Sequence, residues 1–421
     1  MSDAARGRHV VTADRGFARG GSLLARLAGS GFRHVLDEID RGLDQGAIEV
    51  QLPGGGVRRL GGRAPGPLAV VVLHSWRPLV RLITGGSVGW ARSWLEGEWT
   101  SPDPVPLFEL FMLNRVSLGN TGRARGLGRI KNRLGHLFRF NSRTGARRNI
   151  RFHYDLGNDF YAAWLDPSLT YSSAVFDTPI SDSESLEAAQ HRKIRLLLDR
   201  LALKPGDRLL EIGCGWGALA EIAARDYGVH VTGITLSEEQ ATFARQRLAD
   251  AGLADRAEIR ILDYRDVTGV FDAIVSVEMV EALGESFWPA FMQMIARSLR
   301  PGGRAALQLI SIDDAIFEGY RDNADFIQAY IFPGGLLISE SRFQALAAAA
   351  GLEWRDRAGF APHYAETLKR WRDAFDATVQ AGRFAGEFDD DFLRLWRYYL
   401  MYCEGGFRGR GIDVAQVTLV K

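Results

Sequence analysis

The stretch Leu209–Ala220, LLEIGCGWGALA, decides the fold of this chain. A short apolar run ends at Glu211, after which Gly213, Gly215 and Gly217 open a helical pattern. Glycine at such a turn lets the backbone approach a ligand closely, and the first N–H groups of the following helix point towards that ligand. The stretch therefore predicts a buried strand, a ligand-binding turn and a helix, in that order.

Strands and helices alternate on both sides of this turn. Five short β-rich runs are separated by helical patterns: Arg208–Gly213, His230–Thr235, Ala257–Leu262, Asp272–Val277 and Arg304–Ile310. This alternation predicts a parallel sheet with helices on both faces. Two late runs, Leu352–Phe360 and Val414–Lys421, would add strands at one edge. Seven strands in this order predict an α/β fold of the class I methyltransferase, Rossmann-like type, with a mostly parallel sheet.

The glycine turn favours S-adenosylmethionine as its ligand. The acidic Glu211 precedes the glycines, and its charge suits the ammonium group of that cofactor. The third glycine follows the second by two residues, whereas the dinucleotide-binding fingerprint has three. A tight turn without a ligand, as in any α/β protein, is the alternative interpretation.

Residues after the second and third strands extend the predicted cofactor site. No Asp or Glu ends the second strand, where an acid usually binds a ribose, so Thr235 and Gln240 would supply neutral hydrogen bonds there. Asp263 and Tyr264 follow the third strand and could border the adenine. On its own, Asp263 fits a helix cap better.

The residues before this domain form two further regions. We expect residues 1–20 to be frayed, because they are small, polar and rich in Gly and Arg. Residues 21–120 predict a small α+β domain, with a strand at Leu68–Leu73 and amphipathic helices at Val88–Trp99 and Pro106–Asn114. Residues 151–421 would form the methyltransferase domain and hold an acyl-chain pocket.

A basic segment at 121–150 separates these two domains. No acidic residue lies between Leu110 and Tyr154, while ten Lys or Arg lie between Arg123 and Arg151, interleaved with apolar residues. One interpretation is a surface that contacts anionic lipid head groups, where each such charge contributes about 1 kcal/mol. The other is a solvated linker between domains.

Charge, cysteine content and apolar runs limit the kind of protein and its location. The chain has 421 residues, 52 Lys and Arg against 51 Asp and Glu, and a net charge of +1, so its charge gives no reason to expect nucleic-acid binding. Its two cysteines indicate a reducing compartment. We see neither a signal peptide nor an apolar run near the roughly 18 residues of a spanning helix. These features predict a cytoplasmic protein that could lie on the inner membrane face.

Several motifs together resemble the cyclopropane-fatty-acyl-phospholipid synthases. They are the glycine turn itself, GITLSEEQ, DYRD, and the segments Gly86–Trp99, Arg151–Phe176, Ser276–Glu285 and Tyr330–Gly335. The resemblance implies a methyltransferase that uses S-adenosylmethionine. It also implies that the substrate is the cis double bond of an unsaturated acyl chain in a membrane phospholipid.

The resemblance also implies roles for particular residues. Cofactor contacts would fall on Tyr171, Ser172, Gly213, Cys214, Gly215, Trp216, Gly217, Thr235, Leu236, Gln240, Asp263 and Tyr264. The catalytic carboxylate would be Glu281 and the active-site tyrosine Tyr364. Cys403 matches a cysteine often marked as active-site, although a buried cysteine in an apolar helix is more often a packing residue.

Four positions depart from the family pattern. Ser173 replaces a Cys, Glu278 a Gly, Ala282 a His and Gln308 another His. In the family, Cys, His, Glu and Tyr surround a bicarbonate that accepts the proton, and two of these four have changed, which puts bicarbonate in doubt here. The changed pattern resembles the subgroup that makes 10-methylene fatty acyl chains. We hypothesise that Glu278, alone or coupled to Glu281, takes over part of the bicarbonate's role.

The two carboxylates follow the fourth strand, where ligands of parallel sheets bind. If a helical turn begins there, Glu278 and Glu281 face one side, and their proximity should raise one pKa. Methyl transfer to an alkene creates a carbocation, so the site must exclude water. Aromatic rings could stabilise the cation, although most are expected to be core residues: Phe152, Tyr154, Phe160, Trp164, Phe317, Tyr320, Phe326, Tyr330 and Phe332.

Other functions and partners stay open at this point. One alternative is a lipid-binding scaffold or inactive partner subunit that retains the cofactor, and another is a methyltransferase for a small molecule. A methylene product would call for a reductase that saturates it. The family often forms homodimers through its N-terminal domain, which makes a homodimer a further expectation.

Overall fold

The computed structural model describes residues 6–16, 29–119, 156–323 and 325–421 of the chain. In the N-terminal part the helices and strands are α1 Arg8–Val11, α2 Gly29–Gly42, β1 Ala47–Gln51, β2 Val57–Gly61, β3 Leu68–Leu73, α3 Arg77–Leu95, β4 Trp99–Thr100, α4 Val105–Leu113 and α5 Arg115–Leu118.

The central part of the chain follows the predicted alternation of strands and helices. Its elements are α6 Asn158–Ala162, α7 Leu186–Asp199, β5 Arg208–Ile212, α8 Ala218–Asp226, β6 His230–Thr235, α9 Glu238–Asp250, β7 Ala257–Ile261, β8 Phe271–Val277, α10 Trp288–Ser298 and β9 Leu299–Ile312.

The C-terminal part is mainly helical and ends in two strands. Its elements are α11 Asp314–Arg321, a π-helical turn Ile327–Ile331, β10 Ile338–Ser339, α12 Glu340–Ala349, β11 Glu353–Gly359, α13 Ala361–Gln380, α14 Asp390–Arg408 and β12 Ile412–Val420. None of the described helices is both long enough and apolar enough to cross a membrane.

The described residues form two compact units. The first contains the described residues up to 119 together with 313–334 and 375–412. The second contains the described residues from 156 to 312 together with 335–374 and 413–421. The sequence analysis placed all residues from 151 onwards in one domain, so two of its segments lie instead with the N-terminal residues.

Close helix packing within the first unit explains this difference. A Cβ atom at Gly405 of α14 would lie only 2.5 Å from Cβ of Phe108 on α4, and one at Gly409 would lie 2.6 Å from the main-chain oxygen of Glu109. Glycine at both positions therefore lets α14 pack directly against α4. The sequence pattern of either helix does not predict that α4 and α14 pack together, because the two helices are far apart in the sequence.

The first unit also contains a small sheet and an ordered N-terminal segment. Within the described residues its strand order is β2-β1-β3-β4, and the predicted strand Leu68–Leu73 is β3 of this sheet. Residues 6–16 form two helical turns, in which Val10 and Val11 are buried. The sequence analysis expected a frayed terminus there, and burial of these two valines is the physical reason for the difference.

The second unit contains the predicted α/β sheet. Its strand order is β11-β12-β9-β8-β5-β6-β7, and the short β10 pairs with β9. The pairs that β5 forms with β6 and β8 are parallel, as are β6 with β7 and β8 with β9, whereas β11 runs antiparallel to β12. Seven strands were predicted, and the two residues of β10 make an eighth in the described part of the chain.

Some features of the sequence analysis lie outside the described residues. They are the basic segment 121–150, the aromatic residues Phe152 and Tyr154, and residues 1–5 and 17–20 of the predicted frayed terminus.

Candidate functional site

The glycine turn directly follows β5. Gly213, Gly215 and Gly217 have φ angles of 83°, 52° and 87°, in the left-handed region that favours glycine. A Cβ atom at Gly217 would lie 2.9 Å from Cβ of Ala244, whereas one at Gly215 would meet no atom of the described residues within 4 Å. Packing therefore requires the glycine at 217, while the backbone at 215 faces open space that a ligand can enter.

Glu211 presents an acidic group beside this turn. The residue is 4% exposed, and its Oε2 has no hydrogen-bond partner within the described ranges. Burial raises the pKa of Glu211 to about 8, and the charge of Lys193 opposes that rise. A buried carboxylate oxygen without a partner needs a donor, and the ammonium group of S-adenosylmethionine is such a donor.

The other residues of the turn contribute in different ways. The Cys214 side chain is buried in the core of the second unit, and burial raises the pKa of its thiol well above the ordinary value. Its main-chain N–H donates to the oxygen of Ile234 at 3.0 Å. Trp216 donates from Nε1 to Asn158 Oδ1 at 2.8 Å. At this position the thiol is a core group, and the main chain of Cys214 ties the turn to β6.

Polar groups after β6 and β7 are largely paired with each other. Thr235 Oγ1 donates to Gln240 Oε1 at 2.9 Å, and both residues are buried, while Leu236 is half-buried. Asp263 caps the short helix Tyr264–Asp266 and forms an ion pair with Arg265 at 2.6 Å. The cap that the sequence analysis considered for Asp263 is therefore present. The hydroxyl of Tyr264 is buried without a partner among the residues described here, and burial raises its pKa to about 12.

An aromatic cluster surrounds Tyr171. Its ring centroid lies 5.5 Å from that of Tyr161, 5.6 Å from Trp164 and 5.3 Å from Trp371. Trp371 also contacts the ring of Tyr364 at 6.1 Å. The cluster therefore links a predicted cofactor residue to the predicted active-site tyrosine. Trp371 was not predicted, because a lone Trp in an amphipathic helix is indistinguishable from a core residue.

Lys193 is a functional candidate that the sequence analysis missed. It is 1% exposed, and its Nζ donates to Ser172 Oγ at 2.6 Å. Burial lowers the pKa of Lys193 to about 8, and the charges of Glu278, Asp166 and Glu211 oppose that change. A signal was available, because Gln190, Lys193 and Leu197 of α7 follow helical spacing and place two polar residues in an apolar stripe.

Glu278 lies at the centre of the polar site. Its Oε1 accepts hydrogen bonds from the main-chain N–H of Ser173 and from Gln308 Nε2, both at 2.8 Å. Its Oε2 accepts the hydroxyl of Tyr364 at 2.7 Å. The structure thus brings three sequence-predicted residues together around the carboxylate of a fourth.

The backbone and the protonation of Glu278 are both unusual. Its φ of 47° lies in the left-handed region, which few residues other than glycine adopt. Burial raises the pKa of Glu278, although the charge of Lys193 and the hydrogen bonds from Tyr364, Gln308 and Ser173 oppose the rise. The site therefore holds a half-buried carboxylate whose ionised form is supported by one cation and three donors.

Glu281 lies in the short helical turn Val280–Ala282 that follows. Its Oε1 accepts the main-chain N–H of Ile310. Burial, with the charge of Glu278 as a smaller cause, raises the pKa of Glu281 to about 8. Its Oε2 is buried and has no partner in the described part of the chain. Burial is thus the larger cause of the raised pKa of Glu281, and the predicted proximity of Glu278 is a smaller one.

Helix α13 holds the segment that carries Ser173. Thr367 Oγ1 accepts the N–H of Ala174 at 3.1 Å, and His363 Nδ1 accepts the N–H of Phe176 at 3.1 Å. Because Nδ1 is an acceptor, burial and this contact favour neutral imidazole, and the pKa of His363 is lowered. Neither residue was predicted, since polar residues near a helix start are usually solvated.

Cys403 lies in the first unit, whereas every other predicted site residue lies in the second. Burial and the charge of Asp325 raise the pKa of its thiol above the ordinary value, so the structure gives no support for a thiolate. Of the predicted rings, Phe326 packs against Tyr398 and Phe332 against Tyr399, both in the first unit. These rings serve its core, as the sequence analysis expected for most of them.

The sheet order and the glycine turn define a class I methyltransferase that uses S-adenosylmethionine. The residues present fit this cofactor, because Gly215 opens a cradle and the Glu211 oxygen lacks a partner among described residues. The chain belongs to the family described as mycolic acid cyclopropane synthetase, which matches residues 141–417.

Individual relatives agree with this assignment. The chain is 42% identical over 347 residues to the tuberculostearic acid methyltransferase UfaA1 of Mycobacterium tuberculosis, covering 80% of this chain and 79% of that protein. It is 34% identical over 339 residues to the cyclopropane-fatty-acyl-phospholipid synthase of Escherichia coli K12, covering 80% and 84%. The structure of mycolic acid cyclopropane synthase CmaA1 with SAH and CTAB matches with a TM-score of 0.60 at 33% identity, covering 65% and 98%.

Proposed function

We propose that this chain transfers a methyl group from S-adenosylmethionine to the cis double bond of an unsaturated acyl chain in a membrane phospholipid. The product is a methylene-branched, 10-methylene-type chain or a cyclopropane. The observation that carries this proposal is the carboxylate of Glu278, whose two oxygens are held by hydrogen bonds from Ser173, Gln308 and Tyr364.

The reaction needs a base that is fixed in a dry site. The cofactor, held by the glycine turn and Glu211, supplies the electrophilic methyl group. The acyl chain then carries a cation that must lose one proton. Loss from the added methyl group closes a cyclopropane, whereas a hydride shift followed by the same loss leaves an exocyclic methylene. Glu278 accepts the proton in either case, and the position of its carboxylate selects the product.

The donors around Glu278 support this role. They bind both oxygens of the carboxylate, so the carboxylate takes the contacts that a bicarbonate would otherwise need. Lys193 stabilises the ionised form, which is the form that acts as a base. We therefore infer that this chain works without bound bicarbonate.

Glu281 assists without competing for the proton. With a pKa of about 8 it is mostly neutral at pH 7, so it adds little negative charge beside Glu278. Its Oε1 is engaged by Ile310, which leaves Oε2 to carry the proton. A neutral Glu281 thus leaves Glu278 as the acceptor.

The aromatic cluster around Tyr171 suits positive charge. Ring faces stabilise a nearby cation by about 0.5–2 kcal/mol without reacting with it. Tyr171, Trp164 and Trp371 lie within 6 Å of one another by ring centroid. Trp164 and Trp371 are buried, so the half-buried Tyr171 is the ring that would face the positive charge of a bound cofactor or of the acyl chain.

One relative supports the methylene product, and the basic segment supports a membrane location. That relative is named as a tuberculostearic acid methyltransferase, and a methylene product with a separate reductase is the corresponding proposal for this chain. The predicted basic segment 121–150 supports peripheral binding to the cytoplasmic face of the membrane. A homodimer stays part of the proposal from family resemblance alone.

Expression in a host that lacks its own synthase tests the proposal. Phospholipid fatty acids are analysed by mass spectrometry with double-bond derivatisation, which separates a methylene branch from a cyclopropane of equal mass. The wild-type chain should produce one of them, and Glu278→Gln should lower the rate by about 10²–10⁴-fold.

Cofactor affinity, measured by calorimetry on the same variant, separates the possible roles. Unchanged affinity with lost turnover supports a base, whereas lost affinity with normal turnover at saturating cofactor makes Glu278 a cofactor ligand. A wild-type chain that binds the cofactor and modifies no lipid would instead indicate the scaffold or inactive partner. Activity on a soluble acceptor without vesicles would indicate a small-molecule methyltransferase.

A further inference from the structure

Two buried glutamines connect Glu278 to an arginine within the second unit. Gln308 lies on β9 and Gln416 on β12, and both are at most 2% exposed. Gln308 Nε2 lies 2.8 Å from Glu278 Oε1, and Gln308 Oε1 lies 3.1 Å from Gln416 Nε2. Gln416 Oε1 accepts Arg200 Nε at 3.2 Å. We name Arg200, Gln416 and Gln308 the amide relay.

The direction of the amide relay is set at its arginine end. An arginine side chain has only donors, so Gln416 must turn its amide oxygen towards Arg200 and its NH₂ group away. The main-chain oxygen of Lys193, which can only accept, binds Gln416 Nε2 at 3.2 Å and selects the same orientation. Gln416 therefore presents a donor to Gln308.

Arg200 is itself anchored by the backbone. Its Nη1 donates to the main-chain oxygen of Asp356 at 2.5 Å. Asp356 lies where the pairing of β11 with β12 shifts register, and its φ of 54° turns the chain there. The main-chain oxygen that holds Arg200 is thus supplied by the register shift between β11 and β12.

The other end of the relay needs what Gln416 provides. Gln308 Nε2 faces two acceptors, Glu278 Oε1 and the main-chain oxygen of Ser173 at 3.1 Å. In this orientation its Oε1 is a buried acceptor, and Gln416 is the donor that satisfies it. A buried acceptor without a donor is costly, so loss of that donor favours movement of Gln308 away from Glu278.

We propose that Gln416 is a positioning residue for Glu278: it holds Gln308 in the one orientation that donates a hydrogen bond to the carboxylate. The inference rests on the proposed function, in which Glu278 is the base. Because that hydrogen bond stabilises the ionised carboxylate, Gln416 helps to keep the base ready at neutral pH. The other charged and titratable groups that act on Glu278 are Lys193 on α7, Tyr364 on α13 and Glu281 in its own turn.

The test is a titration of Glu278 in the full chain, which needs no methyl acceptor. Infrared spectra of glutamate-labelled protein follow the carboxyl band that is lost in Glu278→Gln. Gln416→Met keeps the length of the side chain and removes the amide. Its Glu278 midpoint should rise by about one pH unit, which is a tenfold change in the ionisation constant.

A double-mutant cycle shows whether the effect passes through Gln308. In a Gln308→Leu background the same change at Gln416 should give no further shift. Thr418→Val, which alters another buried residue of β12, is the matched control and should leave the midpoint unchanged. If Gln416→Met does not fold, Gln416→Leu, which also removes the amide without adding a charge, serves in the same cycle.

An unchanged midpoint in the folded Gln416 variant overturns the proposal, as does a full shift that persists without Gln308. The pH dependence of methyl transfer into vesicles with unsaturated phospholipids is the second readout. In each variant, the acidic limb of the pH–rate profile should shift by the same amount as the infrared midpoint of Glu278. Absence of all methyl transfer by the wild-type chain would reject the proposed function and leave the infrared result on the relay intact.

Discussion

Glu278 occupies a backbone position that disfavours its side chain. A φ of 47° costs a residue other than glycine roughly 1–2 kcal/mol, and the resembling family has glycine there. Residues are kept in such conformations mainly at functional sites. Three donors bind the Glu278 carboxylate, and these hydrogen bonds are what the unfavourable backbone conformation makes possible.

Removing the Glu278 side chain should uncover an anion site. We expect Glu278→Gly to fold, because glycine relieves the backbone, and to lose activity in carbonate-free buffer. Added bicarbonate or formate should restore part of it, since the donors of Ser173, Gln308 and Tyr364 remain. The measurement is methyl transfer into phospholipid vesicles at increasing anion concentration.

Glu278→Gln is the matched control for this rescue. Its amide fills the same space, so added anions should not restore activity. A glycine variant that is fully active without added anion, or that no small carboxylate restores, would contradict the assignment of Glu278 as the replacement for a bound anion.

Glu281 should make the stability of the chain depend on pH. Its pKa is about 8 in the folded chain against an ordinary value of 4.5, so between these values the folded state binds more protons than the unfolded state. The free energy of unfolding therefore falls as pH rises from about 4.5 to about 8, and this contribution is fully present only below about 4.5. Glu281→Gln should flatten that slope in thermal unfolding.

In the Glu281→Gln variant, Glu211 still makes the free energy of unfolding depend on pH. Its pKa is also raised to about 8, so it retains a contribution of the same sign. Glu238→Gln, at an exposed position in the first turn of α9, is the control and should leave the slope as in the wild type. An unchanged slope in Glu281→Gln would mean that Glu281 is ionised in the folded protein.

At the scale of elements, the glycine turn uses its glycines for two purposes. Gly215→Val should abolish cofactor binding in calorimetry, because its side chain enters open space beside the turn, and its φ of 52° should cost only part of the stability. Gly217→Val should lower the melting temperature further, because its Cβ would also press on Ala244, and such overpacking costs about 1–3 kcal/mol. Undiminished binding by folded Gly215→Val would place the cofactor elsewhere.

Helix α13 shows how one element organises a site. Tyr364 binds Glu278, while His363 and Thr367 hold the main chain beside Ser173. Of these three, the sequence analysis named only Tyr364, through family resemblance. The other two act on main-chain N–H groups, a role that no local pattern of residues reveals.

At the scale of the whole molecule, the basic segment should determine binding to anionic membranes. Reversing Arg143, Arg147 and Arg148 to Glu should weaken sedimentation with anionic vesicles at low salt, since each such charge contributes about 1 kcal/mol. Cofactor affinity should stay unchanged, and neutral vesicles are the control. If the variant and the wild type bind anionic vesicles equally at low salt, the segment does not bind the membrane and is a linker between the domains.

The sequence by itself predicted the alternation of strands and helices and the glycine turn, and family resemblance pointed to Ser173, Glu278, Gln308 and Tyr364 as one site. Strand periodicity and turn residues are local properties, and family motifs carry the spacing between them. The tertiary structure alone decided that 313–334 and 375–412 join the first unit, and that Lys193 and Gln416 lie beside the carboxylate site. These outcomes depend on strand register and on helix packing between residues that are far apart in the sequence. A Lys or Gln that becomes buried cannot be distinguished in the sequence from one that stays on the surface.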